Sequence, residues 1–178
     1  MNVRLSGEFS YDQIRTMFQR LYPGKIDFSI FDGVKNVDLV VFSGGADIDP
    51  RFYGEENTHS GCNLIRDYLD YNNWIQAVDA GIPCFGICRG HQFLNAMNGG
   101  KLLQHIEDYH DYFHLLDNGK MVTSTHHQGV IKTPLEILAT HKGIIEMTKG
   151  EKVFSVQFHP EFGCNQEMDE MVKEGLIW

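Results

Sequence analysis

Long hydrophobic runs are missing from this chain, and none approaches the roughly 18 to 20 residues that a membrane-spanning helix needs. The opening residues, Met1-Asn2-Val3-Arg4-Leu5, lack the apolar stretch of a secretory leader. A cytoplasmic protein with no membrane partner is therefore expected. Basic residues are few: 15 Lys and Arg stand against 24 Asp and Glu, for a formal charge of -9. They are scattered singly rather than in a stripe, which argues against nucleic acid as a partner. The cysteines, Cys62, Cys84, Cys88 and Cys164, include no Cys-x-x-Cys pair, which excludes a zinc ribbon or a disulfide framework of the usual spacing. No G-x-x-x-x-G-K-[ST] loop appears, so ATP-dependent chemistry would lie on another chain. No His-Glu-x-x-His pattern accompanies His110 and His114, four apart, or the adjacent His126 and His127. These histidines read as solvated or satisfied side chains, and no metal is expected. Internal repeats and low-complexity linkers are absent too. The 178 residues read as one domain spanning 1–178.

What is there begins with short apolar runs. Residues 38–42, Asp-Leu-Val-Val-Phe, stop at Ser43-Gly44-Gly45, and residues 82–87, Ile-Pro-Cys-Phe-Gly-Ile, stop at Cys88. Neither alternates apolar with polar, which is the pattern of parallel strands buried on both faces. Helices are expected before them, over 10–21 and 62–80. Strands alternating with helices imply an α/β fold with a mainly parallel open sheet flanked by helices. The second half is richer in strand signals. Asp117-Asn118-Gly119 marks a hairpin between 112–116 and 120–124. Further strands are expected at 135–139, 143–147 and 153–158, with a turn at Lys149-Gly150, and a surface helix over 166–174. This makes a small β-rich extension.

Gly86-Ile87-Cys88-Arg89-Gly90 has the form of a nucleophile elbow, G-x-S-x-G, with cysteine in place of serine. Residues 91–97 suit a helix, and a helix start favours a thiolate. Alone, the motif is equally an ordinary buried cysteine at a strand-helix junction. Cys84, inside the apolar run, reads as a small buried hydrophobe. Val156-Gln157-Phe158-His159-Pro160-Glu161 ends the last expected strand with an imidazole and a carboxylate two positions apart. On an extended segment these share one side, so Glu161 would orient His159 toward a thiol. Ser43-Gly44-Gly45 follows a strand whose C-terminal end is where open α/β sheets bind ligands. A glycine N–H of that loop and the Arg89 N–H, just after the cysteine, are candidate oxyanion donors.

With these residues in view, the chain resembles the class I glutamine amidotransferase-like superfamily, and within it the γ-glutamyl hydrolase branch. The first resemblance rests on Ser43-Gly44-Gly45, Gly86 to Gln92 and Gln157 to Glu161. The second rests on Gly44 to Pro50 with Tyr53-Gly54-Glu55, on Arg66-Asp67, and on Ser124-Thr125-His126-His127-Gln128. The resemblance implies a flavodoxin-like sheet and a Cys88-His159-Glu161 catalytic set without cofactor. It also implies an oxyanion hole from Gly45 and Arg89. Substrate contacts are expected from Gln92, Ser124, His126, His127 and Gln128. The substrate class is a small γ-glutamyl amide or glutamine, and polyamine, γ-aminobutyrate, amino acid and folate-tail leaving groups stay open. A homodimer and a separate synthetase partner stay open as well, the latter if the chain is a glutaminase subunit. A non-catalytic scaffold is the third reading, and the filled catalytic positions weigh against it. The chain departs from the branch in trimmed stretches around 51–66 and 104–114, in Asp70 where Glu is usual, and in Phe158 where Trp is common.

Overall fold

The computed structural model describes residues 1–24, 26–107, 112–163 and 166–178, so His110 and Cys164 lie outside it. The chain opens with strand β1 (Asn2–Ser6), helix α1 (Tyr11–Leu21), β2 (Asp27–Ile30) and β3 (Leu39–Phe42). A short 3-10 turn, Pro50–Tyr53, leads into α2 (Leu64–Asp79). Next come β4 (Cys84–Ile87), α3 (Arg89–Met97) and β5 (Lys101–Leu103), then the hairpin β6 (Phe113–Leu115) and β7 (Met121–Thr123). Strands β8 (Gly129–Lys132), β9 (Glu136–His141), β10 (Ile144–Lys149) and β11 (Val153–Val156) and helix α4 (Gln166–Gly175) complete it.

The main sheet runs β2-β1-β3-β4-β11-β10-β8-β5, with β9 on β10. Strands β2, β1, β3, β4 and β11 are parallel, while β10, β9, β8 and β5 join antiparallel. The β-rich extension thus continues the same sheet, and β6–β7 alone form a separate ribbon. Alternate residues of one strand serve opposite faces. Leu39 and Val41 of β3 pack in one core with α1 and α4, through Phe18 and Met171 among others. Val40 and Phe42 pack on the other side with Phe93 and Leu94 of α3. Cys84 is buried in that second core, as an apolar residue would be.

Helix α2 reverses the usual arrangement. Its buried side chains include Asp67, Asp70 and Asn73, while Ile65 and Tyr68 are exposed. Hydrophobic patterning cannot foresee this, because the inward stripe is held by ion pairs. One local expectation is corrected. The last strand ends at Val156, and residues 159–162 form a turn in which Phe162 N–H donates to His159 O at 3.2 Å. Pro160 occupies the second position of that turn, where its fixed φ is favoured. Among the described residues, no helix is long and apolar enough to cross a membrane.

Candidate active site

Register places the site. Phe42 of β3 pairs with Gly86 of β4, and Ile87 of β4 pairs with Val156 of β11. Because the three strands run parallel, the segments that follow them emerge along one edge. Ser43-Gly44-Gly45, Cys88 and His159 therefore meet outside the carboxyl ends of neighbouring strands.

Cys88 sits at the sharp bend between β4 and α3, with φ 53° and ψ −107°, a backbone state that costs a non-glycine residue energy. Its own N–H is held by Val156 O at 2.9 Å, and its carbonyl accepts from Gln92 N–H at 3.1 Å. The flanking glycines make the bend feasible. A Cβ at Gly86 would lie 2.5 Å from Gly90 O, and one at Gly90 would lie 2.0 Å from Phe42 O.

His159 is buried. Its Nδ1 lies 2.7 Å from Glu161 Oε1. An ionised carboxylate only accepts, so Nδ1 carries the hydrogen and Nε2 is left for the hydrogen bond to Cys88. Burial opposes a charge on this ring. Negative charge on the Cys88 sulfur, the hydrogen bond to it and the Glu161 carboxylate more than offset burial, and push His159 up to about 10. The backbone of His159 is clamped by Thr123, whose Oγ1 donates to His159 O and accepts from His159 N–H, both at 3.0 Å.

Beneath Ser43-Gly44-Gly45 lies a buried ionic cluster. The Arg89 side chain, pointing back from the elbow, pairs with Asp67 and Asp70. Asp70 also takes Arg66 Nε at 2.9 Å and the Ser6 hydroxyl. Arg66 in turn donates to Ser43 O at 3.3 Å, Ser43 Oγ at 3.0 Å and Gly44 O at 3.4 Å. Two guanidiniums and two carboxylates thus tie α2, the glycine loop and the elbow together. Burial raises Asp67 and lowers Arg66, as expected for charges taken from water. Gly45 itself has φ 144° and lies against the Arg89 stem, so the two expected oxyanion donors belong to adjoining segments.

The expected substrate residues are spread more widely. Gln92 spends its amide on Gln128 O and Gln157 Oε1, both at 3.1 Å. His126 is buried, with Nδ1 2.7 Å from Gln128 O and Nε2 3.6 Å from a Glu146 oxygen. Gln128 donates to Ser60 Oγ at 2.7 Å and Gln104 O at 3.0 Å. Ser124 Oγ and Gln128 Oε1 are buried and take no hydrogen bond from the described residues. His127 is exposed and reaches Asp47 at 3.1 Å, joining the 124–128 segment to Gly44–Pro50. Thr123, Glu146, Phe9 and the side chain of Arg89 had no expected part. Arg66-Asp67 and Asp70 were visible as a pattern, but not as a cluster. No group of three or more His, Cys, Asp or Glu among the described residues is arranged to hold a metal ion.

A structure-level likeness supports the fold. A solved glutamine amidotransferase of Thermotoga maritima shares the fold with a TM-score of 0.68 at 15% identity, over 90% of this chain and 75% of that one. The chain belongs to the peptidase C26 family, whose signature matches residues 23–121. The glutamine amidotransferase-like protein YvdE of Lactococcus lactis is 32% identical over 179 residues, covering 80% of this chain and 75% of the relative. The carbamoyl phosphate synthase small chain of Chlorobaculum tepidum is 34% identical over 106 residues, 52% of this chain but 29% of that protein.

Proposed function

We propose that this chain hydrolyses a γ-glutamyl or glutamine side-chain amide through a thioester on Cys88. The observation that carries the reading is His159 lying between Cys88 and Glu161, hydrogen-bonded to both. Cys88 Sγ attacks the amide carbon, and the carbonyl π electrons move to oxygen. The Gly45 and Arg89 N–H groups then stabilise the oxyanion. Collapse breaks the C–N bond, and His159 gives its proton to the departing amine. The thioester sulfur is no longer charged, so His159 can take a proton from water as that water attacks. Cleavage of the C–S bond then returns the proton to the Cys88–His159 pair and releases glutamate.

Ser124 and Gln128, with buried oxygens that take no hydrogen bond from described residues, are the best supported of the five substrate contacts. The test is glutamate release from γ-glutamyl amides by the chain alone, with labelling of Cys88 by an electrophilic γ-glutamyl analogue. Cys88→Ser abolishes both. Undiminished release by that variant would remove the nucleophile.

A second reading, a glutaminase subunit delivering ammonia to a separate synthetase, is favoured by the likeness to a carbamoyl phosphate synthase small chain. It requires glutamine turnover that is negligible alone and rises when a synthetase partner is added.

A further inference from the structure

Two phenylalanines crowd His159, and hydrolysis as described gives neither a task. Phe162, at the fourth position of the His159–Phe162 turn, stacks on the imidazole with ring centroids 5.0 Å apart and planes 29° apart. Phe9, from the loop after β1, lies 6.4 Å from the same ring. A Cβ on Gly44 would lie 3.1 Å from both His159 Cε1 and Phe9 Cε1. The imidazole edge, the glycine loop and Phe9 therefore converge on one point. Yet Phe9 is 45% and Phe162 50% exposed. Single exposed apolar side chains are ordinary. Two against the same buried imidazole leave apolar surface in water where a substrate must pass.

Which part of the substrate passes there follows from the chemistry. An acid that protonates a leaving amine must come within hydrogen-bond reach of its nitrogen. Whatever flanks His159 therefore flanks the substituent on that nitrogen. The charges nearby point the same way. Arg66 and Arg89, which approach the glycine loop, are already engaged, Arg66 by Asp70 and the Ser43 and Gly44 carbonyls and Arg89 by Asp67 and Asp70, so neither is free to receive a carboxylate on the leaving amine. Phe113 pairs across the hairpin with Thr123, the clamp on His159, and is 66% exposed.

We propose that Phe9 and Phe162 form the leaving-group subsite, and that the preferred substrates are γ-glutamyl amides of amines bearing an aromatic substituent. The proposal rests on the hydrolase reading above and specifies its substrate class. Ammonia, the product of a glutaminase subunit, would make no use of such a subsite.

The experiment compares kcat/KM for γ-glutamyl-phenethylamide, γ-glutamyl-ethylamide and γ-glutamyl-γ-aminobutyrate, all amides of primary alkyl amines. The expected result is about a tenfold preference for the phenethylamide over the ethylamide, from partial burial of one phenyl ring. In Phe9→Ala and Phe162→Ala the ratio falls toward one, whatever the absolute rates. Phe9→Leu and Phe162→Leu, which keep bulk, retain part of the preference and guard against loss of folding. Turnover of the ethylamide with no phenethylamide preference, or a preference unchanged in both alanine variants, overturns the subsite while leaving hydrolysis intact. Glutamate release from none of the three, with Cys88 unlabelled, sinks the hydrolase reading and the subsite with it.

Discussion

His159 and Glu161 face each other across a proline: the imidazole Nδ1–H donates to the carboxylate at 2.7 Å from within a four-residue turn. A carboxylate in this place fixes the tautomer, aims Nε2 at the sulfur and stabilises the charged ring. An amide of the same size can turn its N–H to the ring and favour the wrong tautomer. Glu161→Gln is expected to lower kcat by about a hundredfold or more with little change in KM. Steady-state kinetics on a γ-glutamyl amide decide it. A loss confined to KM would mean that Glu161 binds substrate instead.

The charge on His159 depends on its neighbours, so it should change when the sulfur changes. Burial alone would hold the ring below its ordinary value of 6.5, and the Cys88 charge and hydrogen bond lead the contributions that push it to about 10. Alkylating Cys88 with iodoacetamide removes the sulfur's charge, as the proposed thioester would. His159 should then titrate well below 10, losing its proton as pH rises through a lower midpoint. Imidazole proton resonances followed against pH, before and after alkylation, measure the shift. An unmoved midpoint would show that Cys88 is not what holds the proton on the ring.

Much of this arrangement was legible in the chain because it is local. The run at 38–42, the Gly86–Gly90 elbow and the hairpin at Asn118-Gly119 each carry their own backbone signal, and each forms within a residue or two of expectation. Strand β1 was not foreseen, because Val3 and Leu5 alternate with polar residues over only five positions. Strands β2, β5 and β8 are three or four residues long and owe their pairing to neighbours far away in sequence. The site divides in the same way. Cys88, His159 and Glu161 lie in motifs, whereas Thr123 acts through its hydroxyl on a backbone 36 residues away. The inward-facing Asp67 and Asp70 could be read only once Arg89 was seen to point back under the elbow.

That buried cluster supports the last prediction. Asp70 is fully buried and receives both Arg66 and Arg89, and it has the Ser6 hydroxyl as well. Asp70→Asn keeps the shape but leaves two guanidiniums facing one carboxylate in a dry setting. Removing one partner of a buried ion pair costs about 3 to 5 kcal/mol. Denaturant unfolding should register a loss of that order. Asp27→Asn, which removes the exposed partner of Arg4, should cost about 1 kcal/mol or less. Arg66 also anchors the carbonyls of Ser43 and Gly44, so Asp70→Asn should slow amide hydrolysis even where the variant remains folded. If Asp70→Asn were as stable and as active as the unsubstituted chain, the cluster would be incidental to the elbow, and the glycine loop would have to be held in place by something else.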